Sequence, residues 1–225
     1  MKIVALLAAL CCILATIAIV VTAAPAHAKQ TQPVAAGDTI THGNNKCTLG
    51  YVYRVHGHTM GVTAGHCADP NAKDSPVLNP DAGVAGYSVS ATYIPGKNDG
   101  PPQRDWWLID FGDVAWSDRI AGTNYRILTY VNADPSDWVC HYGSTSDKEV
   151  CGFVLDVDNP VITVTQTGQR GDSGGPTYIK ITDSDVALIG LWQGHFKLPH
   201  PGGFVISLPA ALTSLRANSI RHNFS

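Results

Sequence analysis

The sequence predicts an all-β chain of two antiparallel barrels followed by one C-terminal helix, and two patterns predict it. Short apolar runs rich in Val, Ile, Tyr and Thr recur along the chain, each ended by a cluster of Gly, Pro, Asn and Asp, as strands and turns require. They fall at residues 48–55, 59–62, 87–93, 106–111, 138–142, 151–157, 161–165, 176–181, 186–192 and 204–207, so both halves hold enough strands for a barrel. Only the tail has helical spacing: Ser207 can cap a helix over 208–217, with Pro209 in its first turn and Leu208, Leu212 and Leu215 along one side. Segments 98–103 and 198–203 read as exposed loops. Strand alternation sends the rings of Trp106 and Trp107 to opposite faces, where barrel packing is their expected role.

The 225 residues are 44% hydrophobic and 15% charged, which excludes disorder of the whole chain. Fifteen Lys and Arg stand against 18 acidic residues, so no basic excess marks nucleic acid as a main partner. Met1-Lys2, an apolar run over 3–21 and the small-residue exit Ala26-His27-Ala28 read as a secretory signal peptide over 1–28. The run is long enough to serve as an uncleaved anchor, but no later apolar stretch exists, so no stable membrane anchor is expected after cleavage. The large residue before Cys11 and the thiol before Cys12 argue against a lipidated Cys. The remaining 197 residues carry a net charge of −4 and suit one domain or two closely packed halves.

Four cysteines remain, Cys47, Cys67, Cys140 and Cys151, an even number in an exported chain. Two disulfides are expected from three pairings, and local pairing would place one staple in each half. No C-x-x-C spacing favours a metal, and His56-Gly57-His58 offers two ligands in a turn with no third, so no metal is expected.

The chemistry is concentrated around one Ser and one His. Gly171-Asp172-Ser173-Gly174-Gly175-Pro176 surrounds Ser173 with glycines, which let the backbone turn sharply and present amides to a developing oxyanion. The motif also satisfies G-x-S-x-G, the nucleophile elbow, but that fold needs an acid and then a His after the Ser, and the 52 residues that follow read as strands. Upstream, Thr63-Ala64-Gly65-His66-Cys67 puts His66 at a strand end beside a Cys, the fixed setting a general base needs.

TAGHC followed by GDSGGP, with 107 residues from His66 to Ser173, resembles the chymotrypsin-fold serine peptidases, and most of all their bacterial streptogrisin branch. Residues 37–38 and 47–51 resemble that branch's first strand, 139–152 its small second disulfide loop, and 202–204 its last strand. The resemblance implies a short extension over 29–36 and a domain over 37–225 of two six-stranded-type barrels, with halves near 37–125 and 126–225, and a Ser-His-Asp triad whose acid lies between His66 and Ser173. Asp105, followed by Trp106-Trp107-Leu108-Ile109, fits the family pattern; Asp110 is its competitor, with Asp99 and Asp113 behind. It also implies an oxyanion hole from Gly171 and Ser173, a supporting Asp172, a site needing no inserted amino-terminal ammonium, and no cofactor. The implied protein is a monomeric, secreted or cell-envelope endopeptidase acting on protein or peptide through an acyl-enzyme.

Three departures bear on specificity. Within Gly190-Leu191-Trp192-Gln193-Gly194-His195, Gln193 replaces the family's small hydroxyl residue. Segments 166–170 and 195–203 lack the Cys pair of the specificity pocket. Thr167, at the position expected for the pocket base, is uncharged and supports no preference for Lys or Arg, while His195 at the rim would suit an acidic residue. Gln193, Gly194 and His195 with Thr167 are the expected substrate contacts. Two alternatives follow: a weakly active or inactive member serving as a secreted binding protein, and an esterase using the same site.

Overall fold

The computed structural model describes residues 31–97, 100–196 and 201–222; the expected signal peptide, Asp99 and parts of both expected loops lie outside them. The strands in chain order are β1 (Val34–Ala36), β2 (Thr39–His42), β3 (Asn45–Thr48), β4 (Tyr51–Val55), β5 (His58–Thr63), β6 (Val77–Asn79), β7 (Val84–Ile94), β8 (Arg104–Asp110), β9 (Trp116–Ile120), β10 (Arg126–Tyr130), β11 (Trp138–Gly143), β12 (Lys148–Asp158), β13 (Val161–Val164), β14 (Pro176–Lys180), β15 (Asp185–Phe196) and β16 (Gly202–Ser207), and one helix, α1 (Leu208–His222), follows.

The first sheet runs β3-β2-β6-β7-β8-β5-β4, every neighbour antiparallel. Its two edge strands are consecutive in the chain, so the sheet curls back on itself but stays open between them. The second sheet runs β1-β9-β10-β15-β14-β11-β12-β13-β16, and β16 returns to pair with β15, closing a six-stranded barrel. The chain crosses to this second sheet at β9, earlier than the boundary expected near 125. β1 also joins it, parallel to β9. All three residues of β1 are buried, so residues expected in an extension are part of the fold.

Each barrel has its own core. Ile40, Leu49, Val52, Val77, Trp107, Ile109 and Phe111 fill the first, and Val139, Val154, Ile162, Val164, Ile189, Trp192 and Val205 the second. A third cluster joins barrels and helix, with Trp106, Tyr142, Tyr178, Leu188 and Leu191 meeting Leu208, Ala211, Leu212 and Leu215. Trp106 and Trp107 do point to different cores, as alternation requires. The Ser207 hydroxyl accepts from the Ala210 amide at 3.4 Å, capping a helix five residues longer than expected.

Two boundaries differ from the sequence reading. The run over 48–55 is two strands, because the chain turns at Leu49-Gly50: the Leu49 amide donates to the Asp38 carbonyl and the Gly50 amide to that of Val62. Gly202 and Gly203, expected in an exposed loop, are buried in β16. The disulfides are the local pairs, Cys47 with Cys67 and Cys140 with Cys151. Closing loops of these lengths stabilises each half by about 3 kcal/mol in the chain-entropy account.

Candidate active site

β5 ends at Thr63, and a 3₁₀ turn, Gly65–Cys67, carries His66 out of it toward the junction of the two barrels. The turn fits closely: a Cβ on Gly65 would lie 2.1 Å from the Thr92 carbonyl oxygen, so only glycine lets it approach β7. β8 brings Asp105 beneath it, 1% exposed. The Asp105 carboxylate makes two bonds to one residue, accepting the His66 backbone amide at 2.8 Å and facing His66 Nδ1 at 2.7 Å. A carboxylate accepts only, so Nδ1 carries the hydrogen and Nε2 is left as an acceptor. Tyr93 meets the His66 ring edge-on at 5.8 Å, and Asn45 Nδ2 donates to the His66 and Cys67 carbonyls.

Asp110 takes no part in this. Its carboxylate faces His58 Nδ1 at 2.8 Å and accepts the Gly112 amide at 2.7 Å. Asp113 pairs with Arg54. His56 and Gly57 form the positive-φ turn of the β4–β5 hairpin, and His58, at the start of β5, has its Nδ1 on the Asp110 carboxylate. Both groupings of Cys with a third metal-binding side chain consist of a disulfide's two sulfurs and one neighbour, His66 or Glu149.

Ser173 comes from the second barrel, on the turn before β14. Its carbonyl accepts the Thr48 amide at 2.8 Å and lies 4.0 Å from Cys67 Sγ, so the Ser turn is seated against the disulfide that anchors His66. Its hydroxyl donates to the Gln193 carbonyl at 3.3 Å. His66, Ser173 and Gly171 line one cleft of about 320 Å³, together with Lys46, Cys47, Thr145 and Arg170. Gly171 has φ of +97° and Gly174 of +83°, a backbone that favours glycine at both. Among the described residues the amides of Gly171 and Ser173 have no hydrogen-bond partner.

The Ser turn is held from below by residues the sequence reading only partly singled out. Asp172 is fully buried and accepts the Ser146 amide at 2.9 Å and the Gln169 amide at 2.8 Å. Thr48, not singled out at all, donates its hydroxyl to the Gly171 carbonyl at 2.8 Å while accepting the Ser144 amide at 3.0 Å. His141, also missed, is fully buried, stacked on Trp192 with ring centroids 3.9 Å apart, and burial pushes its imidazole down to about 4. Gln193 Nε2 donates to the carbonyls of Leu191 and Asp105 at 3.0 and 3.3 Å, reaching the backbone of Asp105 and not its carboxylate. Thr167 is exposed, and Gly194 and His195 continue β15 toward solvent.

The chain is 37% identical over 200 residues to streptogrisin-A of Streptomyces griseus, an alignment covering 82% of this chain and 59% of that protein. The chain is a streptogrisin homologue. It spans under two thirds of that relative's length. Solved structures place the homologue's fold among chymotrypsin-like bacterial serine proteases. Thermobifida fusca protease A matches with a TM-score of 0.63 at 19% identity, covering 82% of this chain and 96% of that one. Cellulomonas bogoriensis chymotrypsin matches at 0.62 and 21%, covering 82% and 96%, and a glutamic acid specific serine protease at 0.63 and 20%, covering 81% and 97%. No family model matches the chain.

Proposed function

We propose that this streptogrisin homologue is an exported serine endopeptidase working through Ser173, His66 and Asp105. One observation carries the reading: a buried carboxylate fixes the His66 ring by Nδ1, and that ring shares a cleft with the glycine-flanked Ser173. In this mechanism His66 Nε2 takes the Ser173 hydroxyl proton as Oγ attacks the substrate carbonyl carbon, and the resulting imidazolium is stabilised by Asp105. The carbonyl oxygen becomes an oxyanion facing the amides of Gly171 and Ser173, which have no hydrogen-bond partner among the described residues and contribute about 3 kcal/mol each. Collapse of the tetrahedral intermediate breaks the C–N bond, and His66 returns the proton to the departing amine. Water, deprotonated by His66, then cleaves the acyl-enzyme. No cofactor takes part in these steps, and the partner is a protein or peptide. The two disulfides fit an oxidising compartment outside the cytoplasm, and no helix among the described residues is long and apolar enough to cross a membrane. The protein acts as a monomer.

A second reading, a binding protein with little turnover, is favoured by the Ser173 hydroxyl donating to the Gln193 carbonyl. Fluorophosphonate labelling read by intact mass separates the two. Stoichiometric labelling of the wild type, absent in Ser173→Ala and in heat-unfolded protein, is expected. A folded wild-type protein that stays unlabelled would remove the peptidase reading and leave the binding protein.

A further inference from the structure

We infer that Trp192 fills the space in which the residue on the acyl side of the scissile bond would place its side chain, making this a hydrolase for peptides with a small residue there; this rests on the serine peptidase reading above. With the substrate carbonyl carbon at Ser173 Oγ and its oxygen toward the Gly171 and Ser173 amides, the adjacent side chain is directed between the two segments that flank Ser173. One is the stretch that precedes it, residues 166–172. The other is β15, whose Trp192 carbonyl accepts the Gly174 amide at 2.6 Å and whose Gln193 carbonyl accepts the Ser173 hydroxyl. β16, paired with β15, brings Gly203 to the far side of the same space.

Glycines on both sides measure what lies between. A Cβ added to Gly168 would fall 2.8 Å from Trp192 Nε1 and 3.1 Å from His141 Nε2. A Cβ added to Gly203 would fall 2.1 Å from Trp192 Cη2 and 2.5 Å from Cζ3. The indole therefore bridges the two segments, its pyrrole edge against Gly168 and its benzene edge against Gly203. The absent side chains at 168 and 203 make room for this ring. Behind it the His141 ring lies parallel, 9° from the indole plane. Both rings are completely buried, and among the described residues neither His141 nitrogen nor Trp192 Nε1 has a hydrogen-bond partner. A large substrate side chain entering between these segments would have to displace this close-packed aromatic pair. Trp192 is thus a specificity-determining residue acting by occupancy.

The test uses peptide p-nitroanilides that differ only in the residue before the scissile bond, Gly, Ala, Leu, Phe, Glu or Lys, with the wild type, Trp192→Val and Trp192→Phe. Fluorophosphonate labelling of each protein is run alongside. The wild type is expected to favour Gly and Ala over Leu and Phe by on the order of 100-fold in kcat/KM, and Trp192→Val to shift that ratio toward Leu and Phe by a similar factor. Trp192→Phe changes less volume, keeps an aromatic partner for His141, and should shift the ratio in the same direction by less, so it carries the ranking if the Val variant fails to fold. A labelled wild type that cleaves after Phe, Glu or Lys as readily as after Ala would overturn the inference. So would labelled variants whose ranking matches the wild type. A folded wild type that does not label sinks the peptidase reading itself, a result distinct from either.

Discussion

Asp105 and Asp110 lie on one strand, five residues apart, and alternation turns them to opposite faces. Asp105 shares its face with Trp107 and Ile109, is buried, and spends both oxygens on His66; Asp110 reaches the half-exposed His58. In the proposed mechanism Asp105→Asn should therefore lower kcat by about 10⁴-fold by releasing the His66 tautomer. Asp110→Asn removes one exposed pair and should leave kcat unchanged, with stability altered by less than about 1 kcal/mol. Steady-state kinetics of the two variants check this, and the reverse ranking would give the acid's role to Asp110. His66 and Ser173 were legible as motifs because their neighbours are dictated by the turn each must make. Asp105 was legible only as one of several acids, since what separates it from Asp110 is the position of a histidine 39 residues away. Trp192 could not be read at all: its place depends on glycines from two other segments meeting around it.

Between β3 and β4 the chain breaks at Leu49-Gly50, and this break seats the Ser173 turn. A Cβ on Gly50 would stand 2.1 Å from the Gly174 carbonyl oxygen and 2.3 Å from Leu191 Cδ2, the first of these a backbone atom of the residue after Ser173. Gly50→Ala should thus displace the turn and lower kcat/KM by on the order of 100-fold, the effect of an ångström-scale misplacement. Gly57→Ala is the contrast: at φ of +84° a Cβ meets nothing within 4 Å, so the variant should lose about 1 kcal/mol of stability to backbone strain and keep its activity. Kinetics and denaturant midpoints of both proteins decide it, and equal activity in the two would refute a seating role for Gly50. The same break hid itself from the sequence, where 48–55 reads as one β-rich run. Ten runs were visible because their Val, Ile and Tyr content survives in isolation. β1, β2, β6, β9 and β10 were not, being only three to five residues long; β2, β6 and β9 form hairpins with the strands that follow them, while β1 and β10 pair with strands far along the chain, β9 and β15. That is tertiary context overriding local propensity.

Across the whole molecule, two buried titratable groups in different barrels oppose each other. Asp38, 1% exposed beside β1 and β2, accepts the Ala35 amide and Asn79 Nδ2, but burial outweighs both bonds and raises its carboxyl to about 6. Its folded form holds a proton that the unfolded chain releases near 3.8, so the stability it contributes is present below that pH and lost as pH rises through about 6. His141 in the second barrel is lowered from 6.5 to about 4, so its contribution is present above 6.5 and lost as pH falls toward 4. Each shift corresponds to about 3 kcal/mol, with opposite slopes over nearly the same window, and the two offset each other in the wild type. Removing either should expose the other. Asp38→Asn should give stability that rises with pH more steeply than the wild type between pH 4 and 6, and His141→Leu stability that rises less steeply or falls there. Their elements share no hydrogen bond, so the two effects should add in the double variant. Chemical denaturation at pH 4, 5, 6 and 7 reads these slopes directly; single variants whose curves run parallel to the wild type would show that neither group is held away from its ordinary pKa by the fold.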